Sequence, residues 1–295
     1  MLILFGLVIV FGSLLLGYTS HGGNVMVLLQ VSEFIIICGA GAGALIIGNR
    51  ASTIRAVVVD TWRLTKANPY DREAYAELLQ MLYELFYAAR RDGLLGIESH
   101  VEDPDSSSLF RRYPIFHKNG HAVALLTDTL KVLLTGTVED HHLSEILEMD
   151  LEVHEKDAME STHAMYKVAD AMPAFGIVAA VLGVIITMGR IDGSIMEVGQ
   201  SIAAALVGTF LGVFLGYGLF GPLAQAMEGR VRTEHDYLCC IRTAMLAFAR
   251  GDPPVTCVEF ARRNIAPEDR PSFSDLEEGT RRRGGRDDAA EAEAA

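Results

Sequence analysis

Four stretches of the 295-residue chain are almost continuously apolar, and they occur as two pairs. The first pair covers residues 2–18 ("LILFGLVIVFGSLLLGY") and 34–48 ("FIIICGAGAGALIIG"), the second of these extended outward by "VMVLLQV". The second pair covers 171–188 and 201–227. A helix needs about 20 apolar residues to cross a hydrocarbon core of about 30 Å, so each stretch is a candidate transmembrane span and the 34–48 stretch is the shortest.

The residues between the two pairs place apolar side chains at helical spacing. The segment "DREAYAELLQMLYELFYAARRDG" repeats them three and four apart and is closed by Gly93, and "HAVALLTDTLKVLLTGTVED" continues the pattern. The segment "VEDPDSSSLFRRYP" is loop-like, whereas "HHLSEILEMDLEVHEKDAMESTHAMYKVADAM" predicts a helix that runs into the third span. These patterns predict an all-α integral membrane protein with four transmembrane helices and a large helical cytoplasmic domain between spans 2 and 3.

The distribution of cations orients the chain in the membrane. Of the 25 Lys and Arg residues, only Arg190 lies between spans three and four, and none lies between spans one and two. Both of these loops therefore face outward and both termini are cytoplasmic, because positive residues concentrate on the cytoplasmic side. The net charge of −13 does not oppose this, since the rule counts Lys and Arg alone. A secretory signal peptide is the alternative for the N-terminus, but it needs a basic start and the first cation is Arg50.

The predicted organisation has four segments. A transmembrane hairpin at 1–49 precedes a cytoplasmic helical domain at 50–169. A second hairpin follows at 170–227. The segment 228–295 is predicted to be a cytoplasmic C-terminal helix with a disordered tail, because "RRRGGRDDAAEAEAA" is charged and low in complexity.

Enzymatic chemistry has no evident site in this sequence. There is no Walker motif, nucleophile elbow or HExxH. The four cysteines lie within a span or on the cytoplasmic side, where thiols stay reduced, and we interpret them as structural. The adjacent pair His141 and His142 is a weak metal signal. We therefore expect no enzymatic activity, no cofactor and no bound metal.

Small residues recur at four-residue intervals inside three of the spans, and such spacing lets helix backbones approach closely in lipid. In the second span, packing within the chain suffices to explain it. In the third and fourth spans, an interface with a different chain explains the spacing as well as packing within the chain does. The positions are Gly39 and Gly43 in the second span, Gly176 and Ala180 in the third, and Ala204, Gly208, Gly212 and Gly216 in the fourth.

The third span carries a proline near its start and no charged residue after it. In a soluble helix Pro173 would cost about 3 kcal/mol, but a membrane protein tolerates it when neighbouring groups satisfy the freed carbonyl. The only acids near lipid are Glu33 and Asp170, which the sequence places at opposite membrane edges, while Thr187 and Thr209 are the notable hydroxyls inside spans three and four. If the protein conducts ions, another subunit must supply the mid-membrane carboxylate.

Four longer motifs resemble one known family. They are "MPAFGIVAAVLGVI", "IAAALVGTFLGVFLGYGLFGPLA", "RRDGLLGIESHVEDP" and "DRPSFSDLEE", and together they are similar to the MotA subunits of bacterial flagellar stators, in the wider family that includes ExbB and TolQ. The resemblance covers almost the whole chain except the far tail. It implies a bacterial inner-membrane protein that assembles with MotB, as a pentamer around a MotB dimer. The single MotB transmembrane helix would bring the ion-binding aspartate, and proton flow would produce torque on the rotor switch protein FliG.

The resemblance also implies roles for individual positions. Rotor contact falls to Arg90 and Glu98, which flank "DGLLGI", and the adjacent Arg91 leaves open which arginine dominates. Judged from the residues alone, these charges could equally be a solvated helix end, and Pro222 could be an ordinary helix terminator. The resemblance assigns the ion pathway and its conformational coupling to Pro173, Thr209 and Pro222, and the residue pattern of the third span adds Ala180 and Thr187 to this set. The spacing of small residues, independently of the resemblance, assigns helix packing to Gly176, Gly208, Gly212 and Gly216.

Two other classes compete with a stator subunit. An ExbB-like or TolQ-like energiser of outer-membrane processes would use the same ion chemistry, but those relatives typically have three spans. A structural scaffold would need neither the prolines nor the pore hydroxyls. The expected ion is the proton, because the chain resembles the longer, proton-type members and its apolar lining offers few oxygens to replace the hydration shell of Na⁺.

Overall fold

The computed structural model describes residues 2–136, 139–189 and 195–274, and all regular structure within them is helical. Arg190 and residues 275–295, which include the predicted disordered ending at 281–295, lie outside the described residues. The helices are α1 Leu2–Ser20, α2 Val25–Leu28, α3 Val31–Gly48, α4 Ala51–Arg63, α5 Arg72–Asp92, α6 Glu98–Glu102, α7 Pro114–His117, α8 Gly120–Leu134, α9 Asp140–Met188, α10 Ile195–Leu215, α11 Gly221–Ala249 and α12 Pro254–Asn264.

Within the described residues, four helical segments are long and apolar enough to cross a membrane, as the sequence predicts. Their most apolar windows have mean hydropathies between 2.0 and 2.3. The second segment consists of α2 and α3 and is longer than the predicted 34–48 stretch. The segments are Ile3–Ser20, Val25–Gly48, His141–Met188 and Val198–Ala249.

The helices of the third and fourth spans extend beyond the apolar stretches predicted from the sequence. Helix α9 continues for 49 residues with Pro173 in its interior, which confirms that the last cytoplasmic helix enters the third span without a break. Helix α10 passes through a π-helical turn, Gly216–Phe220, into α11. The alternative that Pro222 is an ordinary helix terminator is therefore wrong, because α11 continues beyond it to Ala249.

The chain forms two compact units. The first comprises Met1–Ala67 and Asp157–Arg230 and includes the most apolar parts of all four candidate spans. One cluster in its core joins α3, α9 and α10, and a second joins α4, α9 and α11. The first cluster contains Ile37, Val168, Met172, Ala179, Leu211 and Leu215, and the second contains Val57, Leu64, Ala164, Met165, Ala224 and Met227.

The second unit comprises the described residues of Asn68–Lys156 and of Val231–Ala295. Its core is organised by α5, whose apolar face is fully buried through Leu78, Leu82 and Phe86. The Phe86 and Phe248 rings stack with centroids 4.5 Å apart. The Asp71 carboxylate caps the first turn of α5, which is the polar partner that exposed helix N-termini require.

Helix α12 of this unit is held by an ion-pair cluster. The guanidinium of Arg262 donates two hydrogen bonds to the Glu259 carboxylate, at 2.6 and 2.8 Å, and a third to the carbonyl of Pro271 at 3.1 Å. Arg263 also donates to Glu259, at 2.6 Å. The hydrogen bonds from Arg262 and then Arg263 lower the pKa of Glu259 to about 2. A buried guanidinium is thus matched by a carboxylate that stays ionised.

Candidate ion pathway and rotor surface

Helices α9 and α10 cross so closely that several glycines leave no room for a side chain. A Cβ built on Gly176 would lie 2.8 Å from the carbonyl oxygen of Gly208 and 2.9 Å from Cα of Gly212. A Cβ on Gly212 would lie 2.6 Å from the carbonyl oxygen of Met172. Since these obstacles are backbone atoms, the helices could not keep this spacing with alanine at either position. The small residues of spans three and four are therefore used within the chain.

The similar pattern in the second span behaves differently. A Cβ on Gly39 or Gly43 would meet no described atom within 4 Å, so the prediction that these glycines pack inside the chain is wrong. Helix α3 instead buries Gly41 against the side chain of Met172. Equal spacing of small residues marks a face that permits close approach, but it does not determine which helix fills that face.

Pro173 lies against Gly216 of the fourth span. In a regular α-helix the carbonyl of Ala169 would accept a hydrogen bond from the N–H of residue 173, which proline lacks. A Cβ on Gly216 would lie 2.7 Å from that carbonyl oxygen and 3.1 Å from Cδ of Pro173. The carbonyl freed by the proline therefore faces the backbone of Gly216, the first residue of the π-helical turn.

The second proline follows this turn directly. Pro222 is exposed and is the second residue of α11. It too cannot donate a hydrogen bond to the preceding turn, and a π-helical turn of the kind seen at Gly216–Phe220 accommodates such a break in the α-helical ladder. Of the two predicted coupling prolines, Pro173 thus packs against the first residue of the irregular turn, and Pro222 follows the last residue of that turn by two positions.

The remaining predicted pathway residues lie further along α9 and α10. The Thr187 hydroxyl is buried and donates to the carbonyl of Gly183 at 2.8 Å, so its oxygen remains available only as an acceptor. Thr209 is half-buried beside Gly208, and the backbone nitrogen of Ala180 would lie 3.2 Å from a Cβ on Gly208. The structure therefore brings Ala180 and Thr209 to one level of the crossing, with Thr187 about two helical turns away along α9.

Glu33 does not lie at a membrane edge, where the sequence placed it. It falls inside the candidate span Val25–Gly48 and is only 5% exposed. Its Oε2 would lie 2.6 Å from a Cβ on Gly208 and accepts no hydrogen bond from any described residue. Sequence reasoning missed this residue as a site. The available signal was that Glu33 is the only acidic residue before Asp60.

The predicted rotor residues surround the end of α5. Arg90 and Arg91 occupy its last turn, Gly93 ends it with a positive φ of 78°, and Glu98 begins α6. Both arginines and Glu98 are exposed. The guanidinium of Arg91 donates to the Asp92 carboxylate at 3.0 and 3.1 Å, and this interaction lowers the pKa of Asp92. Arg90 makes no hydrogen bond or ion pair with any residue that the structure describes, so it is the less engaged of the two arginines.

An open groove of about 400 Å³ adjoins these arginines. The Tyr83 and Tyr87 rings in it are stacked, with centroids 6.1 Å apart and planes at 19°. Sequence reasoning missed both tyrosines, although their spacing before Arg90 and Arg91 puts all four on one helix face. The groove is lined by Tyr83, Tyr87, Arg90, Arg91, Pro254 and Val255.

Comparisons with known proteins agree with this architecture. The family described as motility protein A N-terminal matches residues 4–93, and the MotA/TolQ/ExbB proton channel family matches residues 118–238. Motility protein A of Salmonella typhimurium is 34% identical over 281 residues, 95% of each chain.

Two solved structures share the fold. The chain is similar to C. jejuni MotAB, with a TM-score of 0.73 and 21% identity over 92% of this chain and 98% of that one. It is also similar to the flagellar MotAB stator complex from Bacillus subtilis, with a TM-score of 0.69 and 25% identity over 87% and 92%. The resemblance seen in the sequence motifs is confirmed, and the chain belongs to the motility protein A family within the MotA/TolQ/ExbB proton channel proteins.

Proposed function

We propose that this chain is the A subunit of a flagellar stator, which forms a proton channel with a MotB partner and converts proton flow into torque. The observation that carries this proposal is the tight α9 and α10 crossing, which ends where the carbonyl freed by Pro173 meets the π-helical turn. Membership of the motility protein A family supports it. An ExbB-like or TolQ-like energiser is not favoured, because the described part of the chain has four candidate spans and the chain matches motility proteins along nearly its whole length.

The exposed apolar faces of the spans support assembly with further chains. On α9, Ile177, Val181 and Ile185 are all exposed and repeat at four-residue spacing, so they form one continuous stripe along the helix. None of the candidate window in α1 is buried. We infer that lipid and neighbouring chains cover these faces, in a pentamer around a MotB dimer. The similarity to MotAB complexes supports this partner.

The membrane and its orientation follow from the same proposal. The chain lies in the bacterial inner membrane with both termini in the cytoplasm, since Lys and Arg residues concentrate in the segments outside the two hairpins. The second compact unit, which carries Arg90 and Glu98, is then cytoplasmic and accessible to the rotor. The chain works as an ion-driven motor subunit, and no residue in it is assigned enzymatic chemistry.

Rotor contact is assigned to Arg90 and Glu98, with FliG as the partner. Arg91 is already paired with Asp92, so using it at an interface would first require that ion pair to break. The unpaired Arg90 carries no such cost, and charges at an interface select the partner and its register. Arg90 therefore dominates over Arg91 in this proposal.

The function is tested by deleting the gene and scoring spreading on soft agar beside electron microscopy of the flagella. A stator subunit is required for rotation alone, so the deletion should leave intact but paralysed flagella, restored by the gene in trans. Swimming should be insensitive to external Na⁺ and abolished by a protonophore. Normal spreading of the deletion strain would refute the function, whereas speed that tracks Na⁺ would refute only the choice of ion.

The rotor assignment is tested by charge reversal. Arg90→Glu should impair swimming more than Arg91→Glu, and Glu98→Lys should impair it as well, with membrane insertion unchanged in all three. Like charges across an interface cost affinity, so an opposite reversal on FliG should restore part of the motility. Equal effects of the two arginine variants, or failure of every FliG reversal to restore swimming, would contradict this assignment.

A further inference from the structure

The carboxyl group of Glu33 occupies a niche between three helices. Its Oε2 lies 2.6 Å from the position that a Cβ of Gly208 on α10 would occupy, and the backbone nitrogen of Ala180 and the Cβ of Ala179 on α9 lie 3.2 and 3.3 Å from the same position. The niche exists because residue 208 has no side chain, since a Cβ there would lie 2.6 Å from the carboxylate oxygen. The glycine that permits the helix crossing therefore also admits an acidic group.

This niche lies well inside the candidate spans. Ala180 precedes Met188, the last residue of α9, by eight residues, which is about 12 Å of helix. Gly208 follows Val198, where the fourth candidate segment begins, by ten residues, or about 15 Å. The midplane of a hydrocarbon core of about 30 Å lies about 15 Å from either face. Glu33 thus places a carboxyl group close to mid-membrane.

Other ionisable groups are distant along the packed segments. On α3 the nearest is Cys38, which is exposed. On α9 the nearest is Asp170, ten residues before Ala180 and exposed. On α10 and its continuation, Glu197 lies eleven residues before Gly208 and Tyr217 nine residues after it. Glu33 Oε2 accepts no hydrogen bond from any described residue, and no ion pair within the described part of the chain includes Glu33.

We propose that Glu33 is a proton-binding site of the ion pathway contributed by this chain itself, in addition to the aspartate of the partner. This proposal rests on the proposed function. An ionised carboxylate without a partner is costly in hydrocarbon, and ionisable groups within a membrane mark ion pathways and proton relays. In the relay, the O–H bond of a hydronium ion from the outer side breaks as an O–H bond forms on the Glu33 carboxylate. The O–H bond on Glu33 later breaks as the proton passes through water to the partner's carboxylate.

Chemical modification tests whether Glu33 takes up a proton. Dicyclohexylcarbodiimide reacts with protonated carboxyl groups in apolar surroundings and leaves a stable adduct that peptide mass spectrometry can locate. With the full complex in native membranes, we expect an adduct on Glu33 whose yield falls as the pH rises. No adduct at Glu33, or a yield that does not change with pH, would overturn the proposal, because a proton relay has to release its proton.

Rotation of single motors separates a relay from a structural role. Glu33→Gln keeps the shape and hydrogen-bonding capacity but cannot exchange a proton, and it should slow low-load rotation about tenfold or more, as positioned proton-transfer groups contribute about 10²–10⁴-fold. Glu33→Asp should retain most of the speed with a shifted pH profile. The control is Asp128→Asn, an exposed carboxylate paired with Lys131 in the second unit, which should rotate normally.

Co-purification of the partner with each variant shows whether the complex has assembled. An assembled Glu33→Gln complex with wild-type speed at every external pH would overturn the relay and leave the stator function intact. Loss of assembly in Glu33→Gln but not in Glu33→Asp would also overturn it, in favour of a structural carboxyl. If deletion of the whole gene left motility normal, the proposed function itself would fail, so the two failures are distinguishable.

Discussion

A methyl group at Gly212 should force the third and fourth spans apart. Its Cβ would lie 2.6 Å from the carbonyl oxygen of Met172, 2.7 Å from Cα of Gly176 and 3.0 Å from the nitrogen of Gly176. Ordinary van der Waals contact begins near 3.4 Å, so the backbones would have to separate locally by about 0.8 Å. All three obstacles are backbone atoms, so no flexible side chain can move aside instead.

The energetic cost follows from two opposing effects. Overpacking of a well-packed interior costs about 1–3 kcal/mol. Alanine is also a better helix former than glycine by about 1 kcal/mol, and this gain partly offsets the overlap. Gly199→Ala in the same helix has the gain in helix propensity without the overlap, because a Cβ at exposed Gly199 meets no described atom within 4 Å. Comparing the two variants therefore isolates the cost of the overlap. Gly212→Ala should therefore be less stable than Gly199→Ala by about 1–3 kcal/mol.

The assay is reversible unfolding of the purified protein in mixed micelles, followed by circular dichroism, with motility of the same variants on soft agar. We expect a lower midpoint for Gly212→Ala and reduced swimming, with Gly199→Ala at or above the wild type in stability. Equal midpoints for the two alanine variants would refute the reasoning, because they would mean that the crossing is looser than the backbone contacts indicate.

Two further predictions concern the proline and the α12 ion pairs. Pro173→Leu supplies an N–H that can bond the carbonyl of Ala169, so it should abolish or severely slow rotation of tethered cells while partner co-purification persists; normal torque at every load would contradict this. Glu259→Gln leaves buried Arg262 without its carboxylate and should lower the free energy of unfolding at pH 7 by about 2 kcal/mol. Because the pKa of Glu259 is lowered to about 2, the stabilisation is present above about pH 4.5 and is lost as the pH falls towards 2. In thermal unfolding, the stabilities of the wild type and of Glu259→Gln should therefore become equal in acid. A constant difference in stability across that pH range would exclude this ion pair as the cause.

The spans and the end of α5 were predictable because each depends on local information. Span length and hydropathy are properties of consecutive residues, and the four candidate spans were found on that basis. Gly93 ends α5 because its φ of 78° is a conformation that glycine adopts without strain. In both cases the residues themselves determine the element, whatever packs against it.

Packing across helices was less predictable. The glycine spacing in α3 and in α10 is the same, yet only the α10 glycines meet a second backbone. The depth of Glu33 was misjudged because it depends on the α2 segment before it and on the niche at Gly208, neither of which is encoded next to Glu33. The π-helical turn was also missed, since hydropathy and spacing do not distinguish five π-helical residues from an ordinary helical turn.

The backbone contacts offer a continuous route from the Glu33 niche to the irregular turn. Along the crossing, Gly208 meets Ala180, Gly212 meets Gly176, and Gly216 meets Pro173, each pair about one helical turn from the last. A packed contact of this kind switches between discrete arrangements instead of deforming smoothly, because interiors at crystal-like density cannot absorb small displacements. A change of charge at Glu33 that shifts α10 against α9 must therefore also alter the contact at Gly216. There the α-helical hydrogen-bond ladder is already interrupted, by Pro173 on α9 and by the π-helical turn between α10 and α11. The backbone N–H and C=O groups at this point can therefore form a different set of hydrogen bonds. In the proposed mechanism, Pro173 interrupts the ladder at one end of the crossing, whereas the proposed proton-binding group lies near its middle.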